Sequence, residues 1–162
     1  MASEIEKDPH KGRIAGIDYG TVRVGVAISD YDRILASPYE IYHRKNASLD
    51  AKYFQKFVEE EKVVRFVVGL PLHLDGRLGD KAREAIDFGS WLTEQTGIEC
   101  VYFDERFTSV EAERFLLDAN FTRKKRKERL DKIAAQILLK AYLESGCRNT
   151  IETLPIDDIN IQ

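Results

Sequence analysis

The apolar residues change their period once along the chain, and that change limits what it can fold into. From Arg13 to Tyr42 the chain reads as strands. Arg13–Asp18 is a first run. Val22, Val24, Val26 and Ile28 alternate along a second, Val22–Ser29, which is the period-2 signature of a strand. Tyr19-Gly20-Thr21 between them has the composition of a tight turn. Ile34–Tyr42 is a third run interrupted by Pro38. Proline cannot donate to a sheet ladder, so a bulge or an edge position is expected there. Three strands joined by short turns predict an antiparallel meander.

Beyond residue 47 the period becomes helical and then alternates. Ser48 is a candidate N-cap for a helix carrying Tyr53, Phe54, Phe57 and Val58. Val63–Val68 is a continuous apolar run of the kind found in buried parallel strands, ended by Gly69-Leu70-Pro71. Gly79–Thr96 reads as a helix with Ala82, Ala85, Ile86 and Leu92 inward, closed by Gly97. Ile98–Phe103 reads as a strand. Thr108-x-x-Glu111 is a capping box opening a helix through Leu117. Arg126–Ser145 reads as the last helix, with Leu130, Ile133, Ala134, Ile137, Leu138 and Ala141 along one face. The order βββαβαβαα predicts an α/β fold: one mixed five-stranded sheet with helices on both faces. With 162 residues there is room for one core of ordinary size. Residues 1–12 are expected to form a flexible tail, 13–146 the domain, and 147–162 an irregular acidic tail.

Carboxylates mark the strand ends. Asp18 closes the first strand, and Asp104 and Glu105 close the last. Ligands of open α/β sheets bind outside the C-terminal ends of the strands. The parallel neighbours in this sheet would bring these acids to one edge across more than eighty residues of chain. Asp131 is a further candidate, expected in the first turn of the last helix and about 80° from the centre of its apolar stripe. It could look back at that edge, or simply complement the helix dipole. Clustered carboxylates repel and call for a cation; hard oxygen ligands favour Mg²⁺ or Mn²⁺. Such a site suits phosphodiester hydrolysis, in which two metal ions activate water and stabilise the leaving oxygen. Other chemistries lack their residues. His10, His43 and His73 show no zinc spacing, and there is no Gly-x-Ser-x-Gly and no phosphate-binding P-loop.

Four ordered motifs carry a resemblance. They are Gly16-Ile17-Asp18-Tyr19-Gly20-Thr21-x-Arg23-Val24-Gly25, Val68-Gly69-Leu70-Pro71-Leu72-x-x-Asp75-Gly76, Asp104-Glu105-Arg106-x-Thr108-x-x-Glu111-Ala112, and Arg123-Lys124-Lys125-Arg126-Lys127 followed by Asp131-Lys132-x-Ala134-Ala135. Together they resemble the YqgF family, also called RuvX, over about residues 14–144. The resemblance implies an RNase H-like fold and a cytoplasmic, metal-dependent nuclease. The substrate implied is structured RNA, in 5′-end maturation of pre-16S ribosomal RNA, or branched DNA if the protein acts as a Holliday junction resolvase. It implies Asp18, Glu105 and Asp131 as the metal-binding catalytic acids. Asp104 is an added candidate, set against by the alternation of side chains along a strand. His73 departs from the family, whose members commonly carry Asn there, and could still contact a phosphate or base.

The charge pattern fits a nucleic-acid partner only locally. Residues 122–132 hold seven basic side chains against two acidic ones, within a chain of net charge -3. Arg123, Lys124, Lys125, Arg126 and Lys127 are therefore candidates for a phosphate clamp. Arg23 and Arg106, each near a motif acid, could contact substrate or pair with that acid. Cys100 and Cys147 are too few for a disulfide framework and fit a reducing cytosol. No apolar run approaches the roughly 18 residues that span a bilayer. Two other classes fit less of the chain. Asp18-x-Gly20-Thr21 resembles the phosphate turn of actin-like ATPases, which need a second such domain. A non-catalytic RNA-binding protein would not need all three acids. A resolvase would also need a homodimer to present two sites.

Overall fold

The computed structural model describes residues 12–107, 122–147 and 150–151, without the side chains of residues 107, 127, 128, 131, 132 and 150. The helix expected at 108–117 and most of both tails lie outside the described residues. Strands β1 (Arg13–Asp18), β2 (Arg23–Ser29) and β3 (Ala36–His43) form the antiparallel meander. Helix α1 (Ala47–Glu61) leads to β4 (Val63–Leu70), and α2 (Asp80–Thr96) leads to β5 (Cys100–Asp104). Helix α3 (Arg123–Glu144) follows, and a two-residue strand β6 (Thr150–Ile151) ends the described chain. The strand order is β3-β2-β1-β4-β5-β6, with β1, β4 and β5 parallel.

The expected five strands are present, and β6 adds a sixth by pairing antiparallel with Tyr102 and Phe103. It falls in the segment read as an irregular tail, because two residues are too few to show a period. Pro38 does sit on an edge strand. Opposite it, Val26 pairs with Glu40 and Ala27 with Pro38, so Tyr39 is the extra residue of a bulge.

The sheet is covered on both faces, which explains the unbroken apolar run of β4. Ala15, Ile17, Val24, Val26, Val68 and Leu70 face α1 and α2, packing on Phe54, Phe57, Ile86, Phe88 and Leu92. Ile14, Ala27, Val67 and Phe103 face α3, packing on Ala135, Leu138, Leu139 and Tyr142. Helix α3 lies so close that a Cβ on Gly16 would stand 2.9 Å from both the Ala135 carbonyl oxygen and Leu139 Cβ. Glycine is what permits the contact.

Two helix starts differ from expectation. Asn46, not Ser48, caps α1, its Oδ1 accepting from the Leu49 amide at 2.9 Å. Helix α3 begins three residues early, where Thr122 Oγ1 accepts from the Lys125 amide at 3.3 Å. The basic residues are thus the first turns of α3. Asp131 belongs to the third turn, beyond the reach of the helix dipole. Gly97, in the left-handed region at φ 73°, closes α2 as expected.

Candidate active site

Side chains alternate along β1, so Asp18 follows Ile14 and Gly16 onto the α3 side of the sheet. Glu105 begins a 3₁₀ turn, Glu105–Phe107, directly after β5. Its carboxylate lies over the backbone of Gly69, near the end of the neighbouring strand β4. A Cβ at that glycine would stand 2.1 Å from Glu105 Oε1. Burial pushes the Glu105 carboxyl up to about 7, and the charges of Asp18 and Asp104 push in the same direction. Two acids at the ends of separate strands therefore lie close enough to repel, and one of them is desolvated.

Asp104 behaves differently. It is 8% exposed and turns to the other side of the strand. Its Oδ1 accepts from the Arg106 amide at 2.9 Å and from Arg106 Nε at 3.0 Å, and its Oδ2 accepts from Nε at 2.8 Å. Arg106 also donates from Nη1 to the Leu74 carbonyl at 3.1 Å. Of the two roles open to Arg106, pairing with an acid is the one seen, and the pair ties the end of β5 to the loop after β4. His73 belongs to that loop; its ring packs on Gly79, the residue that precedes α2. Arg23 opens β2 opposite His43, two residues from Gly25, the β2 partner of Asp18.

Helix α3 runs antiparallel to β1. Tyr142 OH accepts from Arg65 Nη1 at 3.1 Å, and Arg65 pairs with Ile14 near the start of β1. Ala135 instead lies over the far end of β1. A Cβ on Gly25 would stand 3.6 Å from Ala135 Cβ and 3.4 Å from Asp18 Cβ. Position 131 is one turn further in that direction, about 6 Å along the axis. The buried face of α3 is Ala135, Leu138, Leu139 and Tyr142 rather than the stripe read from the sequence. At about 100° per residue, position 131 falls roughly 30° from its centre, not 80°. Helical register therefore sets position 131 on the face of α3 that meets the sheet, toward the end of β1 that carries Asp18. Arg123, Lys124 and Lys125 are exposed two turns beyond, and Arg126 is half-buried.

A cleft of about 240 Å³ opens at this edge, lined by Asp18, Tyr19, Gly20, Thr21, Gly69, Pro71, Ala85 and Glu105. Lys81 and Glu84 of α2 complete the lining. Sequence reasoning missed both, since two charged residues on a helix carry no motif. Their one signal is a spacing of three, which puts them on one face. Among the described residues no three His, Cys, Asp or Glu side chains form a ready metal centre. The donor chemistry still fits a hard divalent cation, because two repelling carboxylates, one of them desolvated, line the same cleft.

An RNase H-like sheet with acids at the ends of its first and last parallel strands defines a nuclease, a hydrolase of phosphodiester bonds. The fold is shared with a solved structure, "T. thermophilus RuvC in complex with Holliday junction substrate". That chain is 12% identical with a TM-score of 0.55, the match covering 86% of this chain and 99% of that one. Within the class, the chain belongs to the RuvX family: the model described as "RuvX: Holliday junction resolvase" matches residues 12–145. A relative from Rhodopirellula baltica is 49% identical over 140 residues, covering 86% of this chain and 80% of its own. One from Syntrophomonas wolfei is 43% identical over 134 residues, covering 83% and 95%. Both bear the name "Putative pre-16S rRNA nuclease".

Proposed function

We propose that this chain is a Mg²⁺- or Mn²⁺-dependent endonuclease of the cytoplasm that cuts structured precursor RNA, in maturation of the 5′ end of pre-16S ribosomal RNA. Asp18, Glu105 and Asp131 hold the metal. The observation that carries this reading is the Asp18–Glu105 pair: Glu105 is buried over Gly69 and held within range of the Asp18 charge, although burial and repulsion oppose it. When bound, the metal supplies an activated water and offsets charge on the leaving oxygen.

The chain's own residues do the positioning. Asp18 and Glu105 approach from two strand ends, and Asp131 is the third acid, supported by the register of α3, whose position 131 lies toward that edge. Asp104 supports the site from behind, because Arg106 holds it, and so stands outside the metal set. The exposed Arg123, Lys124 and Lys125 clamp phosphates on the flank, with Arg126 and Lys127 continuing the basic turns. Arg23 and His73 border the path of the strand.

The name shared by the relatives supports RNA as substrate. The description of the family model supports a second reading, a resolvase of branched DNA acting as a homodimer. Incubation of the full chain with precursor 16S RNA and with a four-way DNA junction, with and without Mn²⁺, separates the two. The first reading expects Mn²⁺-dependent cleavage of the RNA, at a rate at least tenfold above that on the junction. Junction cleavage by a dimer, with the RNA left intact, would reverse the assignment.

A further inference from the structure

A second hollow of about 240 Å³ adjoins the acidic cleft and shares Tyr19 and Glu84 with it. It is built from aromatic rings and one guanidinium. Phe88 stacks on Trp91 at 5.5 Å and packs on Tyr19 at 4.9 Å between ring centres. The Arg44 guanidinium lies 5.6 Å over the Tyr19 ring and 5.4 Å over that of Phe88. Glu84 and Asp87 rise from the same stripe of α2, at i and i+3 to Phe88 and Trp91 at i+4 and i+7. Both carboxylates belong to exposed residues, while Trp91 is half-buried with one side on the core.

The charges select against a phosphate. Arg44 is already engaged by the buried Asp50 at 3.4 Å, and the two remaining charged groups are negative. Flat aromatic and guanidinium surfaces take a nucleobase by stacking. A carboxylate beside them accepts from base donors. Guanine alone presents two adjacent donors, N1–H and N2–H₂, to match the two oxygens of one carboxylate; cytosine and adenine present a single amino group.

We propose that this hollow is a subsite for one unpaired guanine of the nucleic acid whose backbone enters the acidic cleft. Tyr19, Arg44 and Trp91 stack the base, and Asp87 with Glu84 reads its donor edge. The proposal rests on the nuclease reading, since the cleft next door must hold the same strand. It gives the protein a base preference beside the scissile phosphate that its metal-holding acids cannot provide.

Trp91 is the one tryptophan of the chain, so its fluorescence reports on this subsite directly. The full chain is titrated in metal-free buffer with two RNA hairpins that differ only in one unpaired 5′ base, guanine or uracil. GMP is titrated separately, and cleavage of both hairpins is followed with Mn²⁺. The expected result is saturable quenching, about tenfold tighter for the guanine hairpin. In Asp87→Ala, which keeps Trp91 as reporter, that ratio falls below about threefold. Equal or absent quenching while the hairpins are still cut overturns the subsite and leaves the nuclease reading intact. Guanine-selective quenching with neither hairpin cut keeps the subsite and removes the nuclease reading. Quenching by GMP and not by the hairpin makes this a free-nucleotide site and overturns the proposal.

Discussion

Glu105 sits where a carboxylate is least comfortable, and that discomfort can be measured. Its folded-state value of about 7 lies above the ordinary 4.5. In the metal-free protein its contribution to stability is therefore complete below about pH 4.5 and is lost as pH rises through about 7. The loss is on the order of 3 kcal/mol. Glu105→Gln removes the charge, so this variant should be more stable than wild type at pH 8 and nearly equal to it at pH 4.5. Urea denaturation at the two pH values, without divalent metal, checks this. Gly69 makes the complementary case. A methyl group there collides with the Glu105 side chain and not with backbone, and the glycine has no left-handed conformation to lose. Gly69→Ala should keep its melting temperature within a few degrees while cleavage falls more than tenfold. A loss of fold in parallel with activity would show that the glycine serves packing alone.

Among the elements, the loop after β4 and the start of α3 carry distinct work. Arg106 grips Asp104 through a planar fork and reaches the Leu74 carbonyl with the same guanidinium. A lysine keeps the charge and loses the fork. Arg106→Lys should therefore speed limited proteolysis between residues 71 and 79 and lower cleavage, with the sheet core unaffected. The first turn of α3 should act through charge number. Each of Lys124→Ala and Lys125→Ala should weaken RNA binding and reduce the slope of log affinity against log salt by about one, read by filter binding across a salt series.

The elements legible in the sequence were those whose period is enforced by burial. Strands β1, β2, β4 and β5 and helix α2 all carry core residues at regular spacing, and Pro38 and Gly97 marked a bulge and a helix end by backbone chemistry alone. The start of α3 was hidden because residues 123–129 are all charged and carry no apolar side chain that would show a helical stripe. The same cause misplaced the inward face of that helix, since partly exposed apolar residues outnumber the four buried ones. The carboxylates were legible through their strand-end positions and the family motifs. Lys81, Glu84 and the hollow beside Trp91 were not, because they depend on how α2 meets β1 and on an arginine from the β3–α1 turn.

At the scale of the whole molecule, the fold separates charge by topology. The acidic pair gathers where β1, β4 and β5 end, and α3 runs antiparallel to β1, so its basic first turns arrive at that same edge. A net charge of -3 conceals this split. Among the described residues no helix is long and apolar enough to cross a membrane. The central claim is that three acids from β1, the turn after β5 and the third turn of α3 form one metal site. The most direct measurement is the Mn²⁺-dependent rate of precursor RNA cleavage by Asp18→Asn, Glu105→Gln and Asp131→Asn, with circular dichroism confirming the fold of each. All three rates should fall at least a hundredfold below wild type. A wild-type rate in folded Asp131→Asn would contradict the convergence of α3 on the strand-end acids.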